Sequence, residues 1–143
     1  MGIAVIATTI FVNLSNHRVE NWSEKQIEAA KRYGTIIDVP FPNIPPHANE
    51  EDVIEMAHDS FMSILHSGQE HGLDVLNLQD YDITIHCMGE LSFVWYVVSE
   101  ARKWSDNIHC VISTTERNVV ENTIDGVTTK TATFEFVKFR ELI

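Results

Sequence analysis

The chain is 143 residues long, 44% hydrophobic and 22% charged, with a formal net charge of −11. That length is one domain with room for a proper core, and the composition is ordinary for a globular protein. The acidity excludes long nucleic acid held by a general basic surface, because phosphate neutralisation needs clustered Lys and Arg.

Residues 3–12 read as a first core strand. The apolar opening Met1–Val12 lacks the basic n-region and cleavage site of a signal peptide, and no segment is expected to enter a membrane. A helix follows, with Ser23 as N-cap, Gln26 three residues on, and Trp22 and Ile27 in the positions of a hydrophobic staple. It runs to about Tyr33, where Gly34 ends it. Residues 35–39 make a short second strand, and 40–46 a proline-rich loop. A second helix starts near Asn49, its Val53, Ile54, Ala57, Phe61, Ile64 and Leu65 recurring at helical spacing. Its carboxylates Glu50, Glu51, Asp52, Glu55 and Asp59 read as a solvated face that complements the helix dipole. Residues 67–80 read as an exposed connection and 81–87 as a third strand. The third helix, about 90–104, is nearly apolar all round, so a partner subunit is expected to cover part of it, giving a homodimer. His109–Ser113 reads as a fourth strand, and Asp125-Gly126 signals a hairpin turn leading to a strand over 133–139.

This alternation implies a single α/β domain over 1–143: a mostly parallel sheet of order 2-1-3-4, helices on both faces, and a C-terminal hairpin on the edge. Ligands of such sheets bind beyond the strand carboxyl ends, where strand order reverses. Three polar segments fall there: Asn13-Leu14-Ser15-Asn16-His17, Met88-Gly89-Glu90 and the expected turn Ser113-Thr114-Thr115-Glu116-Arg117. Gly89 allows close backbone approach just before a helix N-terminus. Thr114 and Thr115 can donate hydroxyls, and Arg117 can grip a phosphate or carboxylate with two donors. His17 is the sharpest candidate acid or base, and Glu90 reads as either a base or a helix-terminal carboxylate. Ser15 and Asn16 bind ligand or cap a turn; Arg117 binds an anion or pairs with Glu116 or Glu90. His86, alternating with Ile83 and Ile85, reads as an internal histidine with its bonds satisfied. Cys87 and Cys110 read as buried free thiols, which suits a reducing cytoplasm. Dinucleotide glycines, a P-loop, a nucleophile elbow and metal-binding spacings are all missing, so neither cofactor nor metal is expected.

These three segments, with Phe134-Glu135-Phe136-Val137-Lys138-Phe139-Arg140-Glu141, resemble the CRISPR-associated Rossmann-fold (CARF) sensor domains and the small ring nucleases over most of the chain outside 67–80. The resemblance implies a Rossmann-like three-layer α/β/α domain and a homodimer that binds a cyclic oligoadenylate across its two-fold axis. If the ring is cut, the resemblance implies metal-independent attack by a ribose 2′-hydroxyl, with positioning and charge stabilisation from the protein. Arg117, Thr114 and Thr115 would then bind phosphate, Gly89 would admit the ligand, Asn13, Ser15, Asn16, Glu90 and Ser113 would line the site, and His17 would serve as acid or base. Two other classes compete. One is a non-catalytic nucleotide sensor; the other is a nucleoside deoxyribosyltransferase or hydrolase on a flavodoxin-like scaffold, with Glu90 as its carboxylate.

Overall fold

The computed structural model describes residues 8–143, so positions 3–7 of the expected first strand lie outside the described residues. Five strands form one sheet: β1 (Thr8–Ser15), β2 (Thr35–Asp38), β3 (Tyr81–Met88), β4 (Ile108–Ile124) and β5 (Val127–Glu141), in the order β2-β1-β3-β4-β5. The first four are parallel where they pair, and β5 runs antiparallel to β4. The connecting helices are α1 (Glu24–Lys31), α2 (Glu50–Glu70) and α3 (Leu91–Trp104).

Alternation along the strands splits the core into two layers. Ile10, Val12, Leu14, Ile83, Ile85 and Cys87 point to one face, where α2 and α3 cover them with Phe61, Ile64, Phe93 and Val97. Phe11 and Val111 point to the other, with Trp22, Ala30, Phe136 and Phe139. Both cysteines are free and buried, and burial raises both thiols, that of Cys110 to about 12.

Local signals explain the helix starts. Ser23 Oγ accepts from Gln26 N at 3.2 Å, and Asp52 Oδ2 accepts from Asn49 N at 3.0 Å. The α2 helix runs past the expected stop at Ser67, because Gly68 is buried against Leu73 and not exposed in a connection. On α3, Phe93, Val94, Val97 and Ala101 are buried, whereas Leu91 and Trp95 are 81% and 67% exposed.

The largest departure from expectation is β4. It does not stop at Ser113; Ser113–Arg117 is continuous strand paired with β5, not a turn. The turn comes at Asp125-Gly126, as that pair predicts, with both residues at positive φ (52° and 76°). Residues 115–135 are exposed on both faces, so the hairpin continues beyond the core as a two-stranded arm. A bulge interrupts the ladder at its base: Thr114 opposes Lys138, but Thr115 opposes Phe136, leaving Val137 unpaired. That extra residue lets Phe136 and Phe139, three apart, share the inner face with their ring centroids 4.9 Å apart.

Candidate functional site

A cleft of about 960 Å³ opens at the carboxyl ends of β1 and β3, beside the middle of β4, on the α1 side of the sheet. β1 and the residues after it supply Ser15, Asn16 and His17. The start of α1 supplies Trp22, Lys25 and Gln26, and the end of β3 supplies His86, Met88 and Gly89. Ser113 and Thr115 of β4, with Phe134, Glu135 and Phe136 of β5, close the far side. The bulge places Phe136 there.

The floor is a hydrogen-bonded cluster. Asn13 is 1% exposed; its Nδ2 donates to Asp38 Oδ1 and to the His17 carbonyl, both at 2.8 Å. Its Oδ1 lies 2.7 Å from Ser15 Oγ, which donates, and 2.9 Å from His86 Nδ1. Trp22 Nε1 donates to the same His17 carbonyl at 3.1 Å. Asp38 in turn accepts from Val19 N, so the end of β2 and the entry to α1 are tied to this one asparagine. The backbone turn at His17 is therefore fixed from three sides, while the His17 ring is exposed at the cleft.

The walls are aromatic. Trp22 is 8% exposed and packs edge-on to His86 at 5.4 Å between centroids; Phe139 packs likewise at 5.2 Å. Phe11 stacks against the imidazole from below, 17° from parallel. Phe134, 67% exposed, stands at the mouth. Histidines aside, Lys25 and Glu135 carry the only full charges in the lining among the described residues, so the cleft is close to neutral in a strongly acidic chain.

The residues expected from sequence divide. Ser15, Asn16, His17, Gly89, Ser113 and Thr115 meet in the cleft, and Asn13 lies beneath them in β1. Thr114, Glu90 and Arg117 do not line it. Thr114 Oγ1 donates to the Lys138 carbonyl across the hairpin. Ser113 Oγ is taken up by Met88 Sδ at 2.8 Å. Glu90 caps α3: its carboxylate accepts from Phe93 N at 2.9 Å and Ser92 Oγ at 2.6 Å, bonds that hold its pKa below the ordinary carboxylate value. That carboxylate occupies the helix N-terminus that an anion would have used. Arg117 is an exposed residue of the arm opposite Phe134. Gly89 also has a packing reason: a Cβ there would collide with the Phe41 ring and with Asn16 Oδ1.

Sequence reasoning missed Trp22, Lys25, Phe134, Phe136 and the exceptional state of His86. Trp22 was visible only as a staple residue. His86 is 2% exposed, and its Nε2 is the one buried side-chain nitrogen or oxygen among the described residues without a hydrogen-bond partner. Burial, aided by the nearby charge of His17, lowers its pKa to about 4. Among the described residues, no group of three or more His, Cys, Asp or Glu is arranged to hold a metal, and no helix is long and apolar enough to cross a membrane.

The fold and cleft define an α/β protein with a mostly parallel sheet and a strand-end pocket of small-molecule size. The chain belongs to the uncharacterized protein MJ1673 family, whose model matches residues 9–140. No curated protein and no solved structure matches it.

Proposed function

We propose that this chain is a Rossmann-like nucleotide-binding protein whose ligand is a cyclic oligoadenylate, taken up at the strand-end cleft of each subunit of a homodimer. The observation that carries the reading is the wall of Trp22, Phe134 and Phe136 above a polar floor, in a cleft of about 960 Å³. Flat aromatic faces stack on a base, and hydroxyls and amides at the floor suit a ribose. Lys25 is placed to meet a phosphate at the rim. The ligand class and the CRISPR association come from the resemblance of the strand-end segments to CARF domains and ring nucleases. Near-neutral lining favours one nucleotide per cleft over a stretch of polyanion.

The arrangement supports binding over cleavage. Arg117 and Glu90, which a ring-cutting or nucleoside-cleaving site would recruit, lie outside the lining, and Glu90 is committed to capping α3. His17 remains as the exposed imidazole of the lining. The exposed Leu91 and Trp95 of α3 offer the second subunit an apolar face.

Titration calorimetry with cyclic tetra-adenylate, followed by chromatography of the recovered ligand, tests the reading. Binding with intact recovery is expected, and Lys25→Ala should weaken it by roughly fivefold at low salt, as suits an exposed ion pair. Failure of the wild-type protein to bind at millimolar ligand would sink the proposal. Linearised product would replace the sensor with a ring nuclease.

A further inference from the structure

His86 sits at the bottom of the cleft with one ring nitrogen engaged and the other idle. Which nitrogen carries the proton follows from its neighbour. Asp38 Oδ1 and the His17 carbonyl can only accept, so the Asn13 amide must turn its NH₂ toward them. Asn13 Oδ1 therefore faces His86 and Ser15, and it too can only accept. In the neutral ring the proton is on Nδ1, donated to Asn13 at 2.9 Å, and Nε2 is left as a bare lone pair. The low basicity of this buried ring, with its pKa near 4, keeps it neutral in the physiological range.

A lone pair held this way has a definite preference. It repels the oxygens of a phosphate and attracts an O–H or N–H. It is ringed by Phe11, Trp22 and Phe139, none of which presents a free donor, since Trp22 Nε1 is already given to His17. His86 is itself part of the cleft lining, with Trp22, also a lining residue, packed edge-on against it.

We propose that His86 Nε2 accepts a hydrogen bond from a neutral donor of the bound ligand, a ribose hydroxyl or a base amine, and that phosphate is held elsewhere in the cleft. This rests on the nucleotide reading above and adds which chemical group is read at the floor. Asn13 is then a positioning residue: it fixes the tautomer and never touches the ligand.

His86→Asn tests it, because an asparagine amide can reproduce the Nδ1 donor while removing Nε2. Three probes are titrated into both proteins: cyclic tetra-adenylate, its all-2′-deoxy counterpart, and a counterpart whose purines lack the exocyclic amine. The variant should lose roughly tenfold in affinity for cyclic tetra-adenylate, the size of one buried hydrogen bond. It should match the wild type on the one analogue that lacks the donor Nε2 accepts, which also identifies that donor. Nitrogen-15 spectra of histidine-labelled wild type give a second readout: Nε2 should be unprotonated in the free protein and should shift when cyclic tetra-adenylate saturates it. A proton found on Nε2, an equal loss on all three probes, or binding without an Nε2 shift overturns the inference alone. A wild type that binds none of the probes refutes the nucleotide reading and this inference with it.

Discussion

Acidification should unfold this protein partly through His86. An unfolded chain binds a proton on this residue near pH 6.5, whereas the folded state resists until about 4. Between those values the unfolded state carries more protons, so stability rises with pH and is lost as pH falls through the window. The displacement of the two pKa values corresponds to about 3 kcal/mol, fully present above pH 6.5 and gone below the folded value. For a domain of this size, that is a large share of a total of roughly 5–15 kcal/mol. Carboxylates such as Glu90 and Glu100, whose pKa values are lowered by hydrogen bonds from Ser92 and His58, add their own losses further down in pH. A difference measurement removes them. Unfolding free energies from urea titrations of wild type and His86→Asn, taken from pH 7.5 to 4, should change relative to each other by about 3 kcal/mol over the window, the variant showing the flatter curve. Parallel curves would mean that the histidine is charged or solvated in the native state, and the neutral Nδ1–H tautomer would go with them.

Two further outcomes follow from packing. Gly89→Ala should cost about 1–3 kcal/mol in urea denaturation, because the new methyl must displace Phe41, whose ring lies 4.9 Å from Phe93, or Asn16 at the cleft rim. A neutral substitution would show that the backbone there is free to yield. Cys87 and Cys110 should react with a thiol reagent only as fast as the protein unfolds, since burial raises both thiols well above neutrality. Rapid labelling in native buffer would contradict the packed core beneath β3 and β4.

Much of the fold was legible because its signals are local. Ser23 and Asn49 announce helix starts by their own chemistry, Asp125-Gly126 a hairpin, and the strand–helix alternation the parallel sheet. The arm was not legible for the same reason. Its residues are exposed on both faces, so nothing demands alternation, and hydroxyls and charges such as those of Ser113–Arg117 read as a turn. Strand pairing with β5 overrode that composition. The polar segments at the ends of β1 and β3 do meet in one cleft, since topology alone brings them together. The idle nitrogen of His86 could not be read, because the tautomer is dictated by Asn13, 73 residues away, whose own orientation depends on Asp38. Nor could Phe136 be placed, since its side of the strand is set by a bulge at Val137.

The two sides of the sheet are built unequally, and that inequality makes the cleft. One face carries the long α2 and α3, with 21 and 14 residues. The other carries α1, whose 8 residues span only about 12 Å. The short helix leaves the strand ends uncovered, and Trp22, Phe136, Phe139 and His86 fill what it cannot reach. On the proposed reading, side chains on this face serve both packing and ligand binding, whereas the buried ones on the opposite face serve packing. Two substitutions of similar severity separate these roles. Trp22→Phe removes the Nε1 bond to His17 and part of the wall; Phe61→Leu leaves a void between α2 and the sheet and removes a ring whose centroid lies 5.6 Å from that of Trp104. Each should cost about 1–2 kcal/mol in urea denaturation. Only Trp22→Phe should also weaken cyclic tetra-adenylate, by roughly the value of one stacked aromatic contact, several-fold or more. Equal affinities for the two equally destabilised proteins would mean that the aromatic wall is core and nothing else.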